Sequence, residues 1–284
     1  MYWIVLVFLS ALVGSLSKIL QKILLKDKNS DPFAFSFILS MVVAFFFITY
    51  TLFTDTLSFP NLSPLIINFI IMAIFISLSN LFAFKAYKIT PVSEVSIIFA
   101  SSSIWSVITA LIVLGEELTI NKIIGVILVI LGIIVINYSK TKWQINKGHV
   151  LALFGALFAG VSFINDVFIL KHFKSISSYM IIAFTFPAIL TFFYRPNLIN
   201  KISFILNKKN LLNLLVCGFL YSLGTFAIFE AYNQGGEASL ISPISQTSII
   251  FTVIFGYFFL KEKDKLPNKI LGTLFAFIGV LFLI

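Results

Sequence analysis

Five charged residues stand inside stretches of chain that are otherwise apolar: Lys18, Lys85, Glu94, Asp166 and Glu230. A charge in such a stretch is costly in lipid, so it faces a protein interior, a water path or a partner. Two kinds of chemistry are open to these groups. A buried carboxylate can take up and release a proton, which makes Asp166, Glu230 and Glu94 the candidate coupling acids. A buried ammonium can anchor an anionic group, the role expected of Lys18. Lys18 lies about two turns inside its run, within reach of Glu94, and an ion pair there satisfies both. The plainer alternative for Lys18 and Lys85 is snorkelling of a long side chain to the interface. Glu237 and Lys22 read as solvated helix ends.

Uncharged polar groups form stripes. Ser10, Gly14, Ser17 and Gln21 recur at 4-3-4 spacing, one face of a helix. Ser77, Asn80, Phe84 and Tyr87 recur at 3-4-3 spacing further on, followed by Ser101, Ser102, Ser103 and Trp105. The second half carries Gly155, Ala159, Ser162 and Asp166, with Asn165 beside them, then Ser222, Thr225, Phe229 and Tyr232, then Gln246, Thr247 and Ser248. Small residues also serve helix packing, whereas a buried amide needs a partner. Asn80, Tyr87, Ser101, Trp105, Asn165, Tyr232 and Gln246 are therefore the expected contacts to a bound molecule.

The elements that position these groups follow from composition. Of 284 residues, 60% are apolar and only 11% charged, and the mean hydropathy is +1.07. A soluble domain runs nearer a quarter charged. Apolar runs bounded by charge, Pro or Asn fall at 2–25, 32–54, 64–88, 91–114, 120–138, 148–170, 177–194, 209–232, 237–260 and 267–284. A spanning backbone must satisfy its own hydrogen bonds, and the runs lack the period-two alternation of outer-membrane strands. The expected fold class is thus an all-α membrane protein with ten transmembrane helices. The first run has no basic region before it and no small-residue cleavage site, so it reads as a retained helix. The lone Cys217 excludes an internal disulfide. The net charge of +9 lies mostly between apolar runs, a topology signal rather than a nucleic-acid footprint.

The chain also repeats. A shift of 145 residues lays Ala11-Leu12 on Ala156-Leu157, Ser17 on Ser162, Leu25-Lys26 on Leu170-Lys171, and Ala86-Tyr87 on Ala231-Tyr232. It also lays Lys85 on Glu230, opposite charges at equivalent places. The shift drifts to 147 where Gly125 and Gly132 meet Gly272 and Gly279. Five spans per copy require the second to enter the membrane upside down. The expected organisation is a first five-helix repeat over 1–139 and an inverted second over 148–284, integrated into one domain with a site at their interface.

Gly115-Glu116-Glu117-Leu118-Thr119, followed by Gly125 and Gly132, resembles the turn and glycine-bearing helix of EamA-like transporters of the drug/metabolite transporter superfamily. Lys261-Glu262-Lys263, then Gly272 and Gly279, is a second copy without the first glycine. The resemblance implies a cell (inner) membrane carrier of small metabolites such as amino acids, working without a cofactor. It implies a central cavity walled by helices 1, 3, 4, 6, 8 and 9, with helices 5 and 10 as scaffold or homodimer contacts. Glu116, Glu117 and Glu262 are expected to cap the helix that follows each, and Pro187 and Pro243 to kink their spans. A passive channel is the alternative function, and an intramembrane enzyme a more distant one. His149 and His172 sit at separate helix ends, and no Cys-x-x-Cys or phosphate-binding glycine loop occurs, so no metal site or ATP-driven step is expected.

Orientation divides the two lines of reasoning. Most of the 20 Lys and Arg residues fall in the odd-numbered connections, which puts those in the cytoplasm and both termini outside. The resemblance implies both termini inside.

Overall fold

Among the described residues ten apolar runs become thirteen helices, because two of the runs are broken and the connection after the seventh forms a short helix of its own. The computed structural model describes residues 2–54, 56–115, 117, 119–137, 145–264 and 266–283. In chain order the α-helices are α1 (Tyr2–Leu25), α2 (Pro32–Thr54), α3 (Ile66–Ile89), α4 (Val92–Phe99), α5 (Ser102–Val113), α6 (Ile120–Asn137), α7 (Lys147–Leu170), α8 (Ile176–Tyr194), α9 (Ile199–Ile205), α10 (Lys208–Asn233), α11 (Ala238–Ser245), α12 (Ser248–Leu260) and α13 (Leu266–Leu283). Among the described residues seven stretches are long and apolar enough to cross a bilayer, the α4–α5 pair counting as one. The ninth apolar run falls short because α12 supplies only 13 residues after its break, and α6 and α13 have 18 residues each. The short α9 lies between the seventh and eighth runs.

The breaks fall at Ala100-Ser101 and at Gln246-Thr247, equivalent places in the two halves to within one residue of the 145 register. Proline does not explain both, since α8 runs unbroken through Pro187 and the first break has no proline near it. What the two share is a run of hydroxyl and amide side chains. These compete with the ladder for backbone carbonyls: Ser101 Oγ bonds to Ile98 O at 2.8 Å, Ser103 Oγ to Ala100 O at 2.6 Å, and Ser245 Oγ to Ser242 O at 2.6 Å. The backbone tightens to three-residue turns at both places, as in Ser101 N to Ile98 O and Thr247 N to Ile244 O, each 3.0 Å.

Packing has a two-fold pattern. α1 lies along α10 and α3 along α7, pairs that exchange when the halves are exchanged. α12 packs on α1 as α5 packs on α7, while α2 meets α8 and α6 meets α13. Close approach is bought by small residues at these seams. A Cβ on Gly160 of α7 would stand 2.3 Å from Ser102 O, and one on Gly155 would stand 2.8 Å from the Phe99 ring. Outward faces keep large apolar side chains exposed, Phe45, Phe53, Ile67 and Phe193 among them, as lipid contact requires.

The glycine missing from the second Gly-Glu copy is replaced in shape. Gly115 has φ +70°, and Lys261, its equivalent, adopts φ 56°. Lys261 ends α12, with Glu262 N closing on Gly256 O at 3.1 Å. A side chain in this left-handed region costs about 1 kcal/mol. Lys261→Gly should therefore raise the thermal midpoint in detergent by the equivalent of about 1 kcal/mol, and Gly115→Lys should lower it.

Asp31 opens α2. Its Oδ1 accepts from Phe33 N at 2.9 Å and Ala34 N at 3.2 Å, an N-cap ahead of Pro32. Its Oδ2 meets Arg195 and Lys201, each at 3.2 Å, tying the α1–α2 corner to the α8–α9 corner. Burial pushes the carboxyl up, but the Ala34 N–H, Lys201 and Arg195 outweigh it and hold it below the usual carboxylate range. A depressed carboxyl contributes stability that is complete above the ordinary value and lost as pH falls through the folded one. Asp31→Asn keeps the cap and loses the ion pairs. Its midpoint should fall below wild type at neutral pH, and the gap should close in melts taken below about pH 4.

Candidate functional site

A cavity of about 340 Å³ lies between the two halves. Its wall takes Ser10, Gly14, Lys18 and Gln21 from α1, and Ile76, Asn80, Phe84 and Tyr87 from α3. The second half contributes Ser162, Phe163 and Asp166 from α7, and Tyr221, Thr225, Ile228 and Phe229 from α10. These are the same helical stripes one repeat apart. The broken runs supply Phe99, Ser102, Ser242, Ser245, Gln246 and Ser248, and α8 adds Met180, Ala183 and Phe184.

Hydrogen bonds cross this wall between halves. Lys18 Nζ donates to Ser248 Oγ at 3.1 Å, and Gln246 Nε2 donates to Ser102 Oγ at 3.0 Å. Ser106 Oγ meets Ser242 Oγ at 2.7 Å, joining α5 to α11. The broken runs thus bring short polar side chains of both halves together at the centre.

A polar corner holds one end of the wall. Lys22 Nζ, from α1, donates to Tyr87 O and to Thr90 O, the latter at 2.8 Å, closing the carbonyl end of α3. Glu262, from the loop after α12, accepts from Val92 N at 2.8 Å and Ser93 N at 3.1 Å, and from Ser93 Oγ. Positive charge at a helix C-terminus and negative charge at an N-terminus are both favourable. Glu262 therefore caps α4, across the fold, rather than the helix following it. Lys269, almost fully buried on α13, stands 3.8 Å from the same carboxylate. Beside this, Glu94 meets His149 at 2.9 Å. Asn146 N donates to His149 Nδ1 at 3.3 Å, which leaves the ring proton on Nε2 to be donated to Glu94.

Of the residues singled out by the sequence, Asn80, Tyr87, Gln246, Lys18 and Asp166 share the cavity wall. The others lie elsewhere, each for a local reason. Ser101 sits at the break, its hydroxyl spent on Ile98 O. Asn165, next to Asp166 and so turned about a quarter of the way around α7, pairs with Asn68 at 2.8 Å. Trp105 packs beside Gly160 at the α5–α7 seam and is 37% exposed. Tyr232, in the last turn of α10, packs on the apolar cluster of Val7, Ala231, Ile241 and Ile244. Lys85 lies over the Phe33 ring at 4.7 Å. Glu230 accepts from Gln234 in an exposed pair at 2.7 Å. Glu94 is taken by His149, so the expected Lys18–Glu94 pair is replaced by two separate contacts, Lys18–Ser248 and His149–Glu94. Glu116 lies outside the described residues. Sequence reasoning missed Tyr221, although Tyr221, Thr225 and Phe229 recur at four-residue spacing and Tyr221 falls on Ile76 under the repeat. The lining from α8 had no polar signal to find.

Residues 1–138 and again 146–284 match the sequence profile of the EamA-like transporter family. An uncharacterized transporter of Archaeoglobus fulgidus is 25% identical over 207 residues, 73% of this chain and 71% of the relative. A crystal structure of a protein superposes with a TM-score of 0.65 at 12% identity, covering 99% of this chain and 96% of the other, a likeness of fold.

The corner's dependence on one carboxylate has a measurable consequence. Glu262→Ala leaves two amides without their acceptor and Lys269 without its nearest opposite charge. It should lower the thermal midpoint by the equivalent of about 2–4 kcal/mol. Glu262→Gln, which keeps one acceptor oxygen, should lose less.

Proposed function

The chain belongs to the EamA-like transporter family, and from that premise we propose that it is a secondary carrier of the cell (inner) membrane. Its cargo in this reading is a small polar or amphipathic metabolite, an amino acid or a compound of that kind. The carrier works by alternating access between two inverted five-helix halves that together cross the bilayer ten times. The observation that carries the reading is the cavity between the halves, walled by equivalent stripes of α1, α3, α7 and α10 and by both broken runs. A site at the interface of two repeats, lined by discontinuous helices, is the architecture that lets one half rock against the other around a bound molecule. The two-fold exchange of the main helix pairings supports the inverted arrangement, since α1 on α10 and α12 on α1 have their counterparts in α7 on α3 and α5 on α7.

The wall suits an amphipathic cargo. Lys18, Asn80, Gln246 and Asp166 offer a cation, two amides and a carboxylate, set among the rings of Phe84, Phe99, Phe163 and Phe229. Polar groups fix orientation, and the aromatic surface supplies contact area. Among the described residues of this wall Asp166 is the carboxylic acid, and we assign it the proton-coupling role; Glu230, off the wall and paired with Gln234, has none.

Counterflow of a panel of labelled amino acids into proteoliposomes tests this. A carrier gives saturable uptake that an internal pool accelerates; a passive channel gives unsaturable flux with no such acceleration. Asn80→Ala and Gln246→Ala should each cut uptake about tenfold or more, the loss of a polar contact to bound cargo. Asp166→Asn should remove the response to an imposed pH gradient, with Glu230→Gln retaining it. Uptake indifferent to pH in wild type overturns the coupling role.

A further inference from the structure

The repeat allows equivalent positions in the two halves to be compared directly, and one pair differs in chemistry. In α1, Ser17 and Gln21 are one turn apart and fully engaged: Gln21 Nε2 donates to Ser17 Oγ at 3.2 Å, and Ser17 Oγ donates to Cys217 O at 3.1 Å. Their counterparts on α7 are Ser162 and Asp166, also one turn apart and both on the cavity wall. Ser162 is 2% exposed and Asp166 8%. Neither Ser162 Oγ nor Asp166 Oδ1 has a hydrogen-bond partner. The counterpart of Cys217 is Met72, whose thioether has no proton to give, and the nearby Tyr179 hydroxyl points to Met72 Sδ at 3.5 Å. Lys18, the ammonium of the same wall, is directed to Ser248.

A buried carboxylate with only the neutral hydroxyls of Tyr179 and Ser162 beside it, one oxygen unbonded and no cation paired to it, is among the costlier arrangements a protein can hold. What Asp166 and Ser162 both lack is the same thing, a group with several N–H donors and positive charge. The rings of Tyr221 and Phe229 border the cavity on the facing α10, and an aromatic face attracts a cation while excluding water. From this geometry we infer that Asp166 and Ser162 form a subsite for an ammonium group of the cargo, with the apolar body of the molecule lying against the aromatic wall. The inference rests on the carrier reading above and narrows it. The cargo carries a protonated amine, and the two halves have diverged at one equivalent position so that one is a closed neutral pair and the other an open anionic one.

The test uses the full chain in nanodiscs and two probes of the same body, 2-phenylethylamine and 2-phenylethanol, followed by thermal shift. The amine should bind at least about tenfold more tightly than the alcohol, the range expected of a charge-assisted hydrogen bond. Asp166→Asn should abolish that preference and leave alcohol binding unchanged, and Ser162→Ala should reduce it several-fold. In the absence of probe, Asp166→Asn should melt no lower than wild type, because it removes a buried charge that no cation compensates and whose Oδ1 has no hydrogen bond. Equal binding of amine and alcohol by wild type, a preference that survives Asp166→Asn, or a lowered midpoint of the probe-free variant each overturns the inference. If Asp166→Asn does not fold, that overturns it as well, and the Ser162→Ala arm is read independently. Counterflow on the same preparations separates the two readings. Cargo transport without amine preference removes the subsite and keeps the carrier, whereas amine preference without any saturable counterflow removes the carrier.

Discussion

A helix end leaves backbone amides and carbonyls that lipid cannot satisfy, and much of this fold answers that constraint. The corner between α3 and α4 is the clearest case. Its carbonyl side is closed by Lys22 from the first helix, and its amide side by Glu262 from the far end of the chain. These two contacts join the first, third and fourth runs to the loop after the ninth, at the point where Ile89 ends α3 and Val92 begins α4. The cavity wall is built on those two helices. Glu262 is also the acid of the second Gly-Glu turn, so the turn's carboxylate acts as a cap delivered across the molecule. The left-handed residue before it, Lys261, aims the chain toward that corner.

The same constraint explains why the breaks are tolerated at the centre. At Ala100-Ser101 and Gln246-Thr247 freed carbonyls are met by hydroxyls of the local run, as Ile98 O by Ser101 and Ser242 O by Ser245, and from the opposite half, as Ser248 O by Ser15. Polar side chains that would be a burden in lipid become the means of ending a helix next to a cavity. The two halves are then held together at their centre by polar contacts and at their flanks by close backbone approach, such as α7 on α5 at Gly160.

Two-fold pairing does not make the halves chemically equal. Ser162 and Asp166 stand where Ser17 and Gln21 stand, and the buried Ser239 stands where Glu94 stands. Glu94 reaches His149 through a hydrogen bond, while Leu240, next to Ser239, packs with Trp3 against an apolar cluster. One end of the molecule is therefore clipped by a polar pair and the other by hydrophobic contact. In a carrier whose halves exchange conformations, such differences give the two ends distinct energies.

The helical membrane class, the repeat and the stripes of α1, α3, α7 and α10 were legible from residue types and spacing alone. Period and offset are local properties of a chain, and apolar length sets what crosses a bilayer. Asn80, Tyr87, Lys18, Asp166 and Gln246 were found this way because a stripe on a helix facing a cavity stays a stripe. Spacing says which residues share a face but not what that face meets. Hence Asn165 turned to Asn68 and Lys18 to Ser248, the His149–Glu94 pair formed over 55 positions, and Glu262 capped a helix 170 positions away. Each of these depends on which helix ends are brought together, and that is decided when the two halves pack, since a hydrogen bond forms only at contact distance. The open acceptors of Ser162 and Asp166 belong to the same order of fact. The residue names suggested polarity, and only packing left them without a partner.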